Sequence, residues 1–313
     1  MKLAFRPAFE FSLLIILALL PVALGAQAMD PSTKNTFASG EQSSVPFEFR
    51  KGMIFVPVRL NGSKPLSFVL DTGSARMLVD RALATDLGLK RSGQGSLQGA
   101  RAGRIPIEFV QNVSIGLPGL ESTAYEFSTA DLQPLQASLG EKVDGILGYE
   151  FFRRFVVTID YESKTLTVAL PKAFHPAETM QALPIELRDK WSFVKGELVL
   201  PGPVTVQDRF MIDIGSGDAV DHPIVTKLQS RTSTQSGIGF GATVQGATAQ
   251  GTSFQLGRYI LSNPTVSCCG ATDETSKLIG NEVLKFFTIT VDYPSARILI
   301  SPNAAFARQS GPR

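Results

Sequence analysis

Two stretches in opposite halves of this 313-residue chain carry the same order of residue types. Phe68-Val69-Leu70-Asp71-Thr72-Gly73-Ser74 is answered 142 positions later by Phe210-Met211-Ile212-Asp213-Ile214-Gly215-Ser216. Further on, Ile146-Leu147-Gly148, Phe155 and Ile159-Asp160-Tyr161 are answered 132 positions later by Leu278-Ile279-Gly280, Phe287 and Val291-Asp292-Tyr293. Repetition of several signals in one order implies two copies of a single supersecondary unit, related by a pseudo-twofold axis. The boundary is expected near residues 171–190, with lobes at 46–175 and 176–313.

The unit reads as β-structure. Short apolar or alternating runs at 54–60, 66–70, 105–110, 156–159 and 166–170 are separated by turn signals such as Asn61-Gly62-Ser63. The 28 glycines and 19 prolines are scattered rather than periodic, which suits many short strands. One short helix is expected over 80–87, with Asp80 as its cap and Gly88 as its stop, and a counterpart capped by Asp221. A hydrophobic content of 43% is enough to fill a core in each lobe.

The N-terminus follows a different rule. Lys2 and Arg6 precede an apolar run over 11–24, broken only by Ser12 and Pro21, and then Ala26-Gln27-Ala28. A basic start, a short apolar core and an Ala-x-Ala site make a secretory signal peptide over 1–28, and the run is short for a membrane span. An exported protein, periplasmic or secreted, is expected, with 29–45 as a flexible polar leader and no membrane attachment after cleavage. Thirty basic residues against 28 acidic ones, a net charge of +2 without single-sign runs, offer no footprint for nucleic acid. The two cysteines are adjacent, Cys268-Cys269, and with only His175 and His222 they match no zinc-ligand spacing. They stand as two small buried residues or as a vicinal disulfide.

The repeated Asp-x-Gly-Ser carries chemistry that needs no metal and no cofactor. Splitting an amide with water requires one group to take a proton from the water and another to give one to the carbonyl oxygen. Two carboxyls roughly 3 Å apart that share one proton can do both, because they cannot both ionise comfortably. A twofold-related chain delivers one such group per lobe, here Asp71 and Asp213. The apolar strand before each aspartate holds it in a water-poor setting, and Gly73 and Gly215 let the opposite loop approach without a Cβ clash. Ser74 and Ser216 are expected to donate hydrogen bonds to the carboxylates, and the segments 146–148 and 278–280 to pass behind the two loops and brace them.

Asp71-Thr72-Gly73-Ser74, Asp144-Gly145-Ile146-Leu147-Gly148 and Asp213-x-Gly215-Ser216 together resemble the pepsin-like and retropepsin-like superfamily of aspartic peptidases, over roughly residues 47–302. The resemblance implies an all-β, bilobal acid-protease fold of two related β-barrel-like lobes with a few short helices. It also implies Asp71 and Asp213 as catalytic groups, an extended peptide or protein substrate in a cleft between the lobes, and a monomer. A flap would come from 93–107, with a counterpart near 237–251. The sequence departs from the family where Thr or Ser usually follows the second aspartate, since Ile214 stands there. Ser276-Lys277 also replaces Asp-Gly before the second apolar pair, and the first flap stretch has no Tyr.

Other conspicuous residues read as structural. Asp160 and Asp292 precede turn residues, Trp191 suits core or lobe-interface packing, and Arg153-Arg154 suits a solvated helix face. The glycines of 237–251 do not fit a phosphate loop. Three functional readings stand: an aspartic endopeptidase using both carboxyls, a peptide-binding relative with weakened or absent catalysis because of Ile214, and a homodimeric enzyme using Asp71 alone.

Overall fold

The computed structural model describes residues 33–98, 104–202, 204–236, 244–268 and 277–310. The predicted signal peptide and the vicinal partner Cys269 lie outside the described residues, as do residues 99–103 and 237–243 of the two expected flap stretches. The chain is all-β with a few short helices, as the sequence implied. Its strands form a nine-stranded sheet from the first half, a ten-stranded sheet from the second, and a six-stranded sheet shared by both.

The two large sheets are built on one plan. In the first, strand Gly145–Leu147 inserts between Leu66–Leu70, to which it is parallel, and Met77–Asp80, to which it is antiparallel. In the second, Leu278–Ile279 inserts the same way between Val204–Ile212 and Val220–Asp221. The inserted strands are apolar throughout because they are buried on both faces, which is why each reads as an apolar pair beside glycine. After the second strand of each unit comes a short helical turn. In the first half Asp80 caps Arg81–Asp86, its Oδ1 accepting from the N–H groups of Ala82 at 3.0 Å and Leu83 at 3.1 Å, and Gly88 follows at φ +63°. In the second half the expected cap, Asp221, is a fully buried strand residue instead. His222 caps the 3₁₀ turn Pro223–Lys227, its Nδ1 accepting from Ile224 N–H at 3.1 Å. Pro223 explains the shift by one, since the residue before proline is held extended, as a cap must be.

The shared sheet lies on the pseudo-twofold axis. Strand Val156–Asp160 pairs antiparallel with Phe287–Asp292 in a register that sets Thr158 opposite Thr290, two residues that are repeat mates 132 positions apart. Their hydroxyls meet at 2.7 Å. Val157 opposite Val291 and Ile159 opposite Ile289 are exchanged by the same operation, so the axis passes between the two threonines.

On the first-half side the sheet continues through Thr165–Ala169 to Gln42–Pro46, and on the other through Arg297–Pro302 to Gln181–Pro184. The expectation of a flexible leader up to residue 45 is therefore corrected for its described part. Gln42–Pro46 is an edge strand and Asn35–Phe37 pairs with Leu120–Ala130. The sequence signal was a further repeat: Val45-Pro46-Phe47-Glu48-Phe49-Arg50 is answered 138 positions on by Leu183-Pro184-Ile185-Glu186-Leu187-Arg188. Its polar composition masked it, because an edge strand needs only alternate apolar residues, here the fully buried Val45.

One apolar core runs through both halves, anchored by Phe68, Phe127, Phe151 and Phe155 on one side and Phe210, Phe254 and Phe287 on the other. Arg154 belongs to it, contrary to the expectation of a solvated arginine pair. Its guanidinium lies 3.6 Å from the centre of the Tyr125 ring and donates to the carbonyls of Thr123 and Ala124. Ala124 has a positive φ of 60°, which turns carbonyls of this strand irregularity inward, where only a buried cation reaches them.

Candidate active site

Each large sheet hands an aspartate to the junction of the lobes by the same device. Asp71 N–H donates to Leu147 O at 3.0 Å and Asp213 N–H to Ile279 O at 3.0 Å, prolonging the parallel pairing by one residue. The chain then turns, and Gly73 N–H donates to Asp71 Oδ1 at 2.7 Å while Gly215 N–H donates to Asp213 Oδ1 at 3.0 Å. The structure brings the two acids to one junction, each carboxyl lying against the glycine of the opposite loop. A Cβ on Gly73 would sit 2.6 Å from Asp213 Oδ1, and one on Gly215 would overlap the Asp71 carboxyl. Each glycine is thus the floor under the opposite acid.

Thr72 crosses the axis. Its hydroxyl donates to Ile212 O at 2.7 Å and accepts from Ile214 N–H at 2.9 Å, and the side chain is almost wholly buried. Ile214, fully buried, joins the core and returns no hydroxyl. Its carbonyl is held from another direction, by Asn281 Nδ2 at 2.6 Å. The same amide nitrogen donates to Gly52 O of the first lobe at 2.7 Å, and Asn281 Oδ1 accepts from Tyr161 OH at 2.7 Å. Asn281 is completely buried and was not singled out in the sequence. The available signal was a polar residue directly after Leu278-Ile279-Gly280, where burial makes an amide costly unless it is fully bonded.

The serines are used differently from expectation. Ser74 Oγ donates to Arg76 O at 2.8 Å and Ser216 Oγ to Asp218 Oδ2 at 3.4 Å, so neither hydroxyl serves the carboxyl pair; Ser74 reaches Asp71 through its backbone N–H. Their carbonyls instead accept from Tyr149 N–H at 3.0 Å and Asn281 N–H at 2.8 Å, fastening each loop to the turn behind it. Gly148 and Gly280 make that possible: a Cβ there would collide with the carbonyls of Arg76 and Ser74, or of Asp218 and Ser216. Asp144 ties the first brace down by accepting Ser67 N–H at 2.8 Å.

Burial dominates the electrostatics. It raises Asp71 to about 6 against the opposing pull of Gly73 N–H, the hydrogen bond with Asp213 and Ser74 N–H. Asp213 is pushed well above the carboxylate range by burial, then by the Asp71 charge and the hydrogen bond between them, with Asp218 adding to the rise. Both acids are displaced in the same direction, as two carboxyls that disfavour each other's charge must be, and the pair rather than either residue titrates. Asp218, half-buried five residues beyond Asp213, contributes to this field.

Around the pair, strands Arg91–Gln98 and Arg104–Leu117 form the hairpin expected near 93–107, with Leu97 opposite Ile105. Leu97, Ile105 and Phe109 pack on a separate apolar cluster that includes Met53, Phe55, Val69 and Ile146. Thr232–Ser236 and Val244–Gln250 form its counterpart in the second half. Trp191 sits at the lobe junction: it packs on Phe193, Met211 and Leu278, and its Nε1–H donates to Gly73 O at 2.7 Å. Asp160 and Asp292 are turn acids, accepting from Glu162 and Ser163 N–H and from Ser295 N–H.

A two-lobed β-protein with one Asp-x-Gly loop per lobe, each acid set against the glycine of the other loop, resembles an aspartic peptidase in architecture. Residues 56–151 match the family model described as aspartyl protease, from within strand Met53–Leu60 to the helix after Gly148. The match supports an assignment to the aspartic peptidase superfamily over this part of the chain. No curated protein matches it.

Proposed function

We propose that the protein is an aspartic endopeptidase in which Asp71 and Asp213 are the catalytic residues. The observation that carries this reading is the close approach of the two loops, which sets each carboxyl against the glycine of the other, with both acids displaced upward. In the singly protonated pair, the ionised carboxylate takes a proton from a water placed between the acids while the protonated one gives its proton to the scissile carbonyl oxygen. The water oxygen bonds to the carbonyl carbon, and the amide π pair becomes the new O–H. Collapse of the resulting diol breaks the C–N bond as the carboxyl that took the water proton gives it to the departing nitrogen, while the carboxyl left ionised takes a proton from a diol hydroxyl, whose O–H pair re-forms the carbonyl. An extended substrate laid beside the Arg91–Gln98 and Arg104–Leu117 hairpin as an added strand would present its carbonyl to the pair.

The reading includes a monomer, since both acids come from one chain, and export, on the pattern of residues 1–28; cell fractionation and tag retention test the latter. The chemistry is tested with denatured casein over roughly pH 3 to pH 8, with and without pepstatin, where a singly protonated pair sets the active window. Cleavage lost in Asp71→Asn and separately in Asp213→Asn supports the pair, and an active Asp213→Asn protein contradicts it. The alternative, a peptide-binding relative with weak or no catalysis, draws on Ile214, and binding without cleavage at every pH would favour it.

A further inference from the structure

We propose that Asn281 is a positioning residue for the carboxyl pair, fixing the Ile214 carbonyl in the second loop as Thr72 fixes the Ile214 N–H. The inference rests on the peptidase reading and concerns how its second loop is held.

The peptide groups of Ile214 lie between Asp213 and Gly215, so whatever fixes them fixes Asp213. Thr72 from the first lobe holds the N–H at 2.9 Å and Asn281 holds the C=O at 2.6 Å. Asn281 has no freedom to do otherwise. Its Nδ2 divides its two hydrogens between Ile214 O and Gly52 O, and its Oδ1 is occupied by Tyr161 OH. Gly52 and Tyr161 both belong to the first lobe, so one buried amide fastens the second loop to two points across the junction. Gly52 is close enough to that loop that a Cβ on it would lie 2.8 Å from Gly217 Cα.

The repeat supplies an independent comparison. The mate of Asn281, 132 positions earlier, is Tyr149, whose ring lies 6.0 Å from that of Tyr293. The mate of Ile214 is Thr72, whose hydroxyl reaches across the axis. The loop with a hydroxyl is followed by a tyrosine, and the loop without one by a buried amide. Tyr161 and Tyr293 are also mates, and only Tyr161, beside the asparagine, bonds to it; Tyr293 OH donates to Ser192 Oγ.

The test compares wild type, Tyr161→Phe and Asn281→Ala by kcat and KM on a peptide substrate across pH, with melting temperature alongside. Tyr161→Phe removes the bond to Asn281 Oδ1 while leaving the core filled; Asn281→Ala strips the partner from the buried Ile214 carbonyl and from that of Gly52. The ionisable neighbours of the pair, Asp218 in the same loop and Tyr293 from behind it, are unchanged in both. Expected is a fall in kcat of roughly tenfold or more for Asn281→Ala and a smaller fall for Tyr161→Phe, with KM little changed. The alkaline limb should move to lower pH in both, because acids that drift apart repel less and share their proton less well. A folded variant of either kind with wild-type kcat and limbs overturns the proposal. So does a loss of kcat that follows melting temperature with the limbs unmoved. If Asn281→Ala does not fold, Tyr161→Phe decides. An inactive wild type, or an active Asp71→Asn protein, overturns the peptidase reading itself and this inference with it.

Discussion

Thr72 Oγ1 accepts the Ile214 amide at 2.9 Å while donating to Ile212 O at 2.7 Å, so one buried hydroxyl bridges loops 142 residues apart. The bridge runs from the first lobe to the second and is not returned, because Ile214 has no hydroxyl.

Thr72→Val keeps the shape and removes both bonds, leaving a buried N–H and C=O to find new partners. Chemical denaturation should show a loss of about 2 kcal/mol or more, whereas Thr72→Ser, which retains the hydroxyl, should lose less than half of that. Equal stability of the Val and wild-type proteins would contradict a bridge that matters.

Gly215→Ala places a methyl where the Asp71 carboxyl lies. The acids must separate, and cleavage should fall by roughly a hundredfold or more, as expected for a displacement near 1 Å at a reacting centre. Circular dichroism should remain that of the wild type, since Gly215 lies in a half-buried loop outside the strands.

Stability should depend on pH through the pair, with a sign that follows from the raised pKa values. Asp71 is raised to about 6 and Asp213 well above the ordinary 3.8. Between the ordinary and the raised values the folded chain holds more protons than the unfolded one, so the pair's contribution is present at low pH and is lost as pH rises. Asp213→Asn buries no second charge. Its melting temperature should gain on that of wild type by roughly 4 °C or more between about pH 4 and about pH 7. A constant difference between the two proteins would contradict the assignment.

Arg154→Lys keeps the charge and loses the fork that reaches the carbonyls of Thr123 and Ala124 as well as the flat contact with Tyr125. A loss of about 2 kcal/mol or more is expected by thermal or denaturant unfolding, with little change in kcat of the protein that remains folded. A surface arginine would show no measurable loss.

Much of this molecule is legible without coordinates, and the parts that are not share a cause. Strand Leu66–Leu70, the cap at Asp80 and the stop at Gly88 follow from contacts within a few residues, and local pattern suffices for them. The strand Gln42–Pro46 was missed because its partner, Thr165–Ala169, is more than a hundred residues away and its own composition is polar. His222 displaced Asp221 as the cap through a proline rule that local reading can apply. Arg154 gave no local sign of burial, since the carbonyls that require it belong to an irregular strand thirty residues earlier.

The sequence by itself determined that two acids would be presented alike, because strand, acid and glycine recur in one order, and repeated local order means repeated local structure. Only the tertiary structure decided how the second loop is secured. Thr72 and Asn281 hold the Ile214 peptide groups, and Gly52 and Tyr161 in turn hold Asn281, from distant segments of the chain; a hydrogen bond depends on distance in space, on which separation along the chain has no bearing.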